Sequence, residues 1–368
     1  MIDSKLLKSQ ERAMFALRSL YKQHGYLPFK MSKFEEYDLY VRNKEFLVSD
    51  SVITFNDTDG RLLALKPDVT LSIIKNCADE QGMKQKVYYN ENVYRISGST
   101  HLYKEIMQSG IECIGDIDFC DLYETVYLAA KSLETVSDSF VLDISHMGII
   151  SAVLENASNN EDFKREALKF IADKNRHDTE KLCKSYAVSS SATELLLLLI
   201  DSHGSPRFVL DRLEKLSSLS TARESLGELE RICSLLENES FADKINLDFS
   251  VINNMNYYNG IVFKGFLDGI CEGVLSGGEY DVLMRRMGRT SRAVGFAVYL
   301  DLLEGMNTDA SSYDVDILLV YDEKTEAEKV IAKKNELIAD GKSTLAIKCI
   351  PEKLRYREIV RLSEGGTK

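Results

Sequence analysis

Two carboxylates (Asp68 and Glu112), a guanidinium (Arg95), an amide (Gln108), a hydroxyl (Thr70) and a tyrosine pair (Tyr257-Tyr258) are the side chains best equipped to grip a small polar ligand. Each has a plainer role when taken alone. Asp68 follows Pro67 where a helix can begin, so its carboxylate is suited to accept the free N–H groups of a first turn. Arg95 fits a structural ion pair. Gln108 and Glu112 stand four apart on a predicted strand and so share a face, as on any solvated strand. Tyr257-Tyr258 would serve as core packing. What sets these residues apart is their joint order and spacing along one scaffold. Other motifs carry less: Gly277-Gly278 is not followed by the G-x-x-x-x-G-K pattern of a phosphate loop. The 5 histidines, His146 among them, have no metal-ligand spacing, and the 7 cysteines form no C-x-x-C pair. Neither metal nor cofactor is expected.

The elements that must position these groups are legible in outline. Leu7, Met14, Leu17, Leu20 and Tyr21 recur at helical spacing, predicting a helix over 6–25 that stops at Gly25. An extended stretch follows over 26–34. The runs 52–55 and 62–65 flank a polar, glycine-containing loop and predict a hairpin. After Pro67, a helix is expected over 68–77. Strands are expected over 86–94 and 105–114, joined by a polar loop, with a helix over 121–136. From 149 to 246 the pattern is helical without a convincing strand, broken by a turn at Gly204-Ser205-Pro206. Strands resume over 247–252 and 260–267, and a helix ends over 301–306. The last segment reads as strand 315–321, helix 325–340 and strand 343–350, a βαβ unit.

Composition places the chain among ordinary globular proteins, with 44% hydrophobic and 28% charged residues. No apolar run approaches the roughly 20 residues that span a bilayer. Asp3, Lys5 and Lys8 stand where a signal peptide would have its apolar core, so a cytoplasmic location is expected. The net charge of −12 argues against a nucleic acid as the natural partner, because phosphate neutralisation dominates such binding.

The blocks Lys86 to Gly115 and Asn253 to Leu303 resemble the core of histidyl-tRNA synthetase. They contain Asn256-Tyr257-Tyr258-Asn259-Gly260, Ser276-Gly277-Gly278-Glu279-Tyr280-Asp281 and Gly295-Phe296-Ala297. The resemblance runs over nearly the whole chain, and is closer still to the regulatory subunits of ATP phosphoribosyltransferase, which are catalytically silent relatives of that enzyme. It implies an α+β fold of the class II synthetase type: an antiparallel sheet with helices, interrupted by a helical insertion. The implied division is core over 1–148, helical insertion over 149–246, core again over 247–308, and a truncated α/β domain resembling an anticodon-binding domain over 313–368. Retaining that last domain departs from the usual regulatory subunit. Its acidic and basic residues balance, which leaves no net positive charge to grip an anticodon stem.

The resemblance also assigns a site. Lys66-Pro67-Asp68-Val69-Thr70 falls on the family's arginine-proline-glutamate-glycine-threonine turn, where an acid and a hydroxyl suit an α-ammonium group. Arg95 falls on the second motif's arginine, which forks onto carboxylate and α-phosphate oxygens. Gln108 and Glu112 fall on a ligand-contacting strand, and Tyr257-Tyr258 on the pair lining the imidazole pocket. Asp68, Thr70, Arg95, Gln108, Glu112, Tyr257 and Tyr258 are therefore the expected histidine contacts. Other family positions are lost: Asn253 and Leu302 replace arginines, Ser97 a glutamate, Glu279 an arginine, and Ser32 the proline of the dimer-forming first motif. One missing donor at a charged transition state typically costs about 100- to 1,000-fold in rate, so amino-acid activation is expected to be absent. The expected role is to bind a short catalytic subunit and mediate histidine feedback, as a homodimer within a larger hetero-oligomer. An active synthetase and a stand-alone histidine sensor are the alternatives.

Overall fold

The computed structural model describes residues 7–44, 47, 52–78, 82–96, 102–252, 258–306, 313–363 and 366–367. Two compact units divide the chain, residues 1–306 and 307–368.

In the first unit, α1 (Ser9–Gln23) is followed by β1 (Leu27–Pro28), β2 (Phe34–Glu36), α2 (Tyr37–Arg42), β3 (Thr54–Asn56), β4 (Leu62–Leu65) and α3 (Thr70–Asn76). Two long strands come next, β5 (Lys84–Ile96) and β6 (Tyr103–Gly115), then α4 (Phe119–Val136) and β7 (Phe140–His146). A helical stretch holds α5 (Met147–Ala157), α6 (Glu161–Ala172), α7 (Arg176–Ser185), α8 (Ser190–Ile200), the short β8 (His203–Gly204), α9 (Pro206–Leu213) and α10 (Ser220–Leu236). The unit closes with β9 (Ile245–Asp248), β10 (Ile261–Leu267), β11 (Leu275–Glu279), α11 (Asp281–Arg286), β12 (Arg292–Tyr299) and a 3₁₀ turn, Leu300–Met306.

The main sheet runs β1-β5-β6-β12-β11-β10-β7-β9-β8. Its β1–β5 and β7–β9 pairs are parallel and the others antiparallel. The α+β class of the sequence reading is what the chain adopts. Alternation along the strands gives the sheet two different faces. Tyr88, Ile111, Phe296 and Phe263 point to the back, where they join the core formed with α1 and α4. Tyr21 of α1 is wholly buried there, its ring edge-on to Phe296 and its hydroxyl 3.0 Å from Ser132 Oγ. Asp118 caps α4 by accepting the N–H groups of Cys120 and Asp121. The front face meets a second core, where Met31, Tyr40, Leu71, Ile73, Ile74, Tyr280 and Leu283 pack with Tyr89 and Val93 of β5. Much of that core comes from the small antiparallel sheet β2-β4-β3 and from α2, α3 and α11.

Three expectations are corrected. The stretch 149–246 is not strand-free: β8 lies inside it, and β9 opens at Ile245 by burying Ile245 and Leu247 in alternation beside β7. The stretch ending at Met306 is a 3₁₀ turn rather than a full helix. In the second unit, β13 (Val315–Tyr321), α12 (Ala327–Ala339) and β14 (Thr344–Ile347) form the expected βαβ arrangement. That unit continues with β15 (Tyr356–Ser363), parallel to β13 on its other side, and β16 (Gly366–Thr367). The exposed Arg357, Glu358 and Arg361 break the apolar pattern of β15 and mask it as a strand.

Where β6 faces β12, Gly110 sits opposite Ala297 with Phe296 O and the Tyr89 hydroxyl against it; a Cβ there would lie 2.2 Å from the carbonyl oxygen. Gly110→Ala is expected to destabilise the first unit by about 1–3 kcal/mol or more through forced backbone displacement. A lowered urea midpoint would report it; an unchanged midpoint would contradict so close an approach.

Candidate ligand site on the front of the sheet

Cross-strand register assembles the site. Val87, Glu112, Gly295, Gly278, Val262 and Ser145 form one row across β5, β6, β12, β11, β10 and β7. Two glycines follow Glu112 in that row, leaving its side chain room to lie along the sheet. A Cβ on Gly295 would fall 1.8 Å from Glu112 Oε2, so only glycine fits beneath that carboxyl. A second row, four residues along β6, joins Glu91, Gln108 and Tyr299. Arg95 shares their face, because it stands an even number of residues from Glu91 on β5.

The turn between β4 and α3 places the acids. Asp68 Oδ1 accepts the Leu71 N–H at 2.9 Å, which is the capping role expected of it. Arg95 Nε donates to Pro67 O at 2.8 Å, drawing the guanidinium to the same turn. Burial raises the Asp68 carboxyl above its ordinary range; the Leu71 N–H, the Arg95 charge and the Thr70 N–H work against that rise. Beneath the turn, Lys66 is completely buried with Nζ 2.5 Å from Glu91 Oε2, and burial lowers its ammonium. This pair fastens the turn to β5.

Glu112 is the deepest of the predicted contacts, at 2% exposure. Thr70 donates to its Oε1 at 3.0 Å and Tyr280 to its Oε2 at 2.5 Å. Burial pushes its carboxyl up to about 8; the two hydroxyls oppose the shift and Asp68 adds to it. The Tyr258 hydroxyl is raised well above its ordinary value by burial and by Tyr299, Glu112 and Asp68, which places that ring beside the same groups. Tyr89, raised for similar reasons, closes the β5 side.

Asp68, Thr70, Arg95, Glu112 and Tyr258 are therefore brought together, and Gln108 is buried on the same face. Tyr257, Asn253 and Ser97 lie outside the described residues. Tyr280, Tyr89 and Tyr299 were missed by sequence reasoning. Tyr280 carried a signal, since it adjoins Glu279 in a glycine-containing motif, but nothing in its type distinguishes a site hydroxyl from a core ring.

The replaced positions have specific fates. Glu279 is not a free charge aimed at the site: it is 4% exposed, with Arg292 Nη2 at 2.8 Å from Oε1, and burial together with Asp281 pushes it up to about 7. Leu302 packs half-buried against the main core, and Ser32 Oγ accepts the Phe34 N–H. His146 is buried, with Nδ1 accepting the Gly148 N–H and Nε2 3.1 Å from Glu228 of α10. Among the described residues no cluster of three His, Cys, Asp or Glu side chains is placed to hold a metal ion, and no helix is long and apolar enough to cross a membrane.

A carboxyl that folding holds protonated makes stability depend on pH. The folded protein retains the Glu112 proton up to about 8, whereas an unfolded glutamate loses it near the ordinary 4.5. Between those values the folded state binds more protons, so stability falls as pH rises through the window. Glu112→Gln removes that penalty. It should raise the melting temperature relative to the wild type at about pH 9 and do so far less at about pH 5. Equal shifts at both values would contradict a protonated Glu112.

Comparison with known proteins places this geometry. The family model described as histidyl-tRNA synthetase matches residues 4–303. An ATP phosphoribosyltransferase regulatory subunit of Clostridium acetobutylicum is 28% identical over 89% of this chain and 82% of its own. One from Oceanobacillus iheyensis is 28% identical over 78% and 71%. Among solved structures, an ATP phosphoribosyltransferase regulatory subunit/histidyl-tRNA synthetase from Bacillus halodurans C superposes with a TM-score of 0.76 at 22% identity, covering 96% of this chain and 93% of that one. A chain of the ATP phosphoribosyl transferase (HisG:HisZ) complex from Thermotoga maritima gives 0.62 at 20% identity, covering 78% and 96%. With the family model spanning the whole site-bearing sheet, this chain belongs to the histidyl-tRNA synthetase family.

Proposed function

We propose that the chain is a non-catalytic regulatory subunit of ATP phosphoribosyltransferase, which binds histidine and controls a short catalytic subunit in the first step of histidine biosynthesis. The observation that carries this reading is a site with an amino acid's polarity at one end and an apolar side chain where nucleotide chemistry needs a cation. Asp68 and Thr70 suit an α-ammonium group, Arg95 suits a carboxylate, and Glu112 with the tyrosines forms the enclosed end for a side chain. Gln108 adds a buried amide on that face, and Tyr257, next to Tyr258, is proposed as a further contact. Leu302 packs into the core. The names of the curated relatives agree with this division, and so does the two-component complex among the structural neighbours.

In this reading the chain acts by its differential affinity for two states of a complex. Histidine inhibits only to the extent that it binds the inactive state more tightly, a coupling typically worth about 1–3 kcal/mol. The assembly is a homodimer of this chain within a larger hetero-oligomer, located in the cytoplasm, with no role for tRNA.

Mixing the purified chain with the short phosphoribosyltransferase of its own organism should raise product formation from ATP and phosphoribosyl pyrophosphate, and histidine should reverse the gain. Asp68→Asn should raise the histidine concentration for half-inhibition by about tenfold or more, the usual size of a lost charge-assisted bond. No complex and no activation would leave a stand-alone histidine sensor as the better reading. Histidine-dependent pyrophosphate exchange by the chain alone would restore the synthetase.

A further inference from the structure

We propose that Glu279 is a positioning residue for the ligand site: held by Arg292, its side chain clamps the turn 258–260 and so fixes where the Tyr258 ring stands. The proposal rests on the reading of that site as a histidine pocket. It gives a role to a position where this chain departs from the family's arginine.

Two segments cross at this point, each passing over a glycine of the other. The Tyr258 ring lies on Gly278, where a Cβ would stand 2.8 Å from Tyr258 Cδ1 and 2.6 Å from Ile261 O. Beside it the Glu279 carboxyl lies on Gly260, where a Cβ would stand 2.4 Å from Oε2 and 2.8 Å from Cδ. Asn259, between the ring and that glycine, is held twice by Glu279. Its N–H donates to Glu279 O at 3.1 Å, and its side-chain amide donates to Oε1 at 3.4 Å. The Gly260 carbonyl accepts the Met147 N–H at 2.8 Å, which ties the end of the turn to the start of α5.

The carboxyl group is itself held. Arg292 Nη2 donates to Oε1 at 2.8 Å. The guanidinium is fixed in turn by Ile117 O at 3.0 Å and by Asp281 Oδ2 at 3.2 Å. The other oxygen of Asp281 accepts the Ala293 N–H at 2.9 Å. A glutamate side chain free to rotate would swing away from a crowding backbone. Here that movement breaks the Arg292 bond, so the wall against Gly260 stays in place and the turn must fit it.

The residue type at 279 matters for the same reason. Oε1 accepts from two donors, which a guanidinium cannot do because it carries only donors. An arginine there would deny the Asn259 amide this acceptor and set a second positive charge beside Arg292. Alanine would remove both the acceptor and the wall. Glutamine keeps the length of the side chain and an oxygen that accepts from Arg292 and Asn259.

A residue that acts through another leaves its mark in a double-mutant cycle. Histidine affinity would be measured on the full chain by ligand-observed NMR, which follows weak binding as well as tight. The proteins compared are the wild type, Glu279→Ala, Tyr258→Ala and the double variant. Glu279→Ala should weaken binding about tenfold when Tyr258 is present and less than about twofold when it is alanine, a coupling of the size seen between touching residues. Glu279→Gln should recover most of the loss. Equal weakening by Glu279→Ala in both backgrounds would overturn the proposal, since a general loss of order acts in both alike. So would a glutamine variant no better than alanine, and that contrast decides the matter if Tyr258→Ala abolishes binding. Should Glu279→Ala not fold, Gly260→Ala takes its place in the cycle, because its methyl group displaces the same carboxyl from the other side. Absence of histidine binding by the wild type would instead overturn the functional reading on which the proposal rests.

Discussion

Placing a carboxyl group inside a β-sheet is the constraint on which the rest of the site depends. An ionised carboxylate without partners is too costly to bury, so Glu112 needs hydrogen-bond donors, a proton, or both. The fold supplies Thr70 from the start of α3 and Tyr280 from the turn after β11, two elements far apart in sequence. It also supplies a floor without side chains at Gly295 and Gly278. A one-residue slip between β6 and β12 would turn Glu112 into the apolar core behind the sheet, so the register of the long strands and the chemistry of the site are one requirement.

A buried ion pair helps to fix the other acid. Lys66 reaches Glu91 from the residue before Pro67, and Arg95 grasps the Pro67 carbonyl from the same strand. The turn carrying Asp68 is therefore pinned to β5 at two points. Breaking one partner of a buried pair typically costs about 3–5 kcal/mol, because the survivor is left charged and unpartnered. Losing either anchor would therefore loosen the turn that holds Asp68 beside Arg95.

Two of the positions that depart from the family pattern, Leu302 and Glu279, are absorbed into the structure in different ways. Leu302 adds to the hydrophobic core, and Glu279 is neutralised by Arg292 in a cluster that also engages Asp281 and the Ile117 carbonyl. Positive charge is thus still present near residue 279, but it is committed to two buried carboxylates. The end of β7 is also tied to α10, through His146 and Glu228. At Leu302 and Glu279 the side chains thus serve internal packing and pairing.

The sequence by itself determined the period-two strands, the helical stretches, the Asp68 cap and the sharing of one face by Gln108 and Glu112. These are local properties, set by alternation, by proline and by the needs of a helix's first turn. It also carried the family pattern that gathers Asp68, Thr70, Arg95, Glu112 and Tyr258, because motif order survives when overall identity is low. What it did not contain was the partner of each group. Whether Tyr280 packs in the core or donates to Glu112, whether Glu279 faces a ligand or Arg292, and whether Ile245 to Asp248 ends a helical stretch or adds a strand are decided by pairing between residues from 13 to 168 positions apart. Only the assembled sheet brings those residues within reach. Burial and hydrogen bonding, which set the protonation of Glu112, exist only after that assembly.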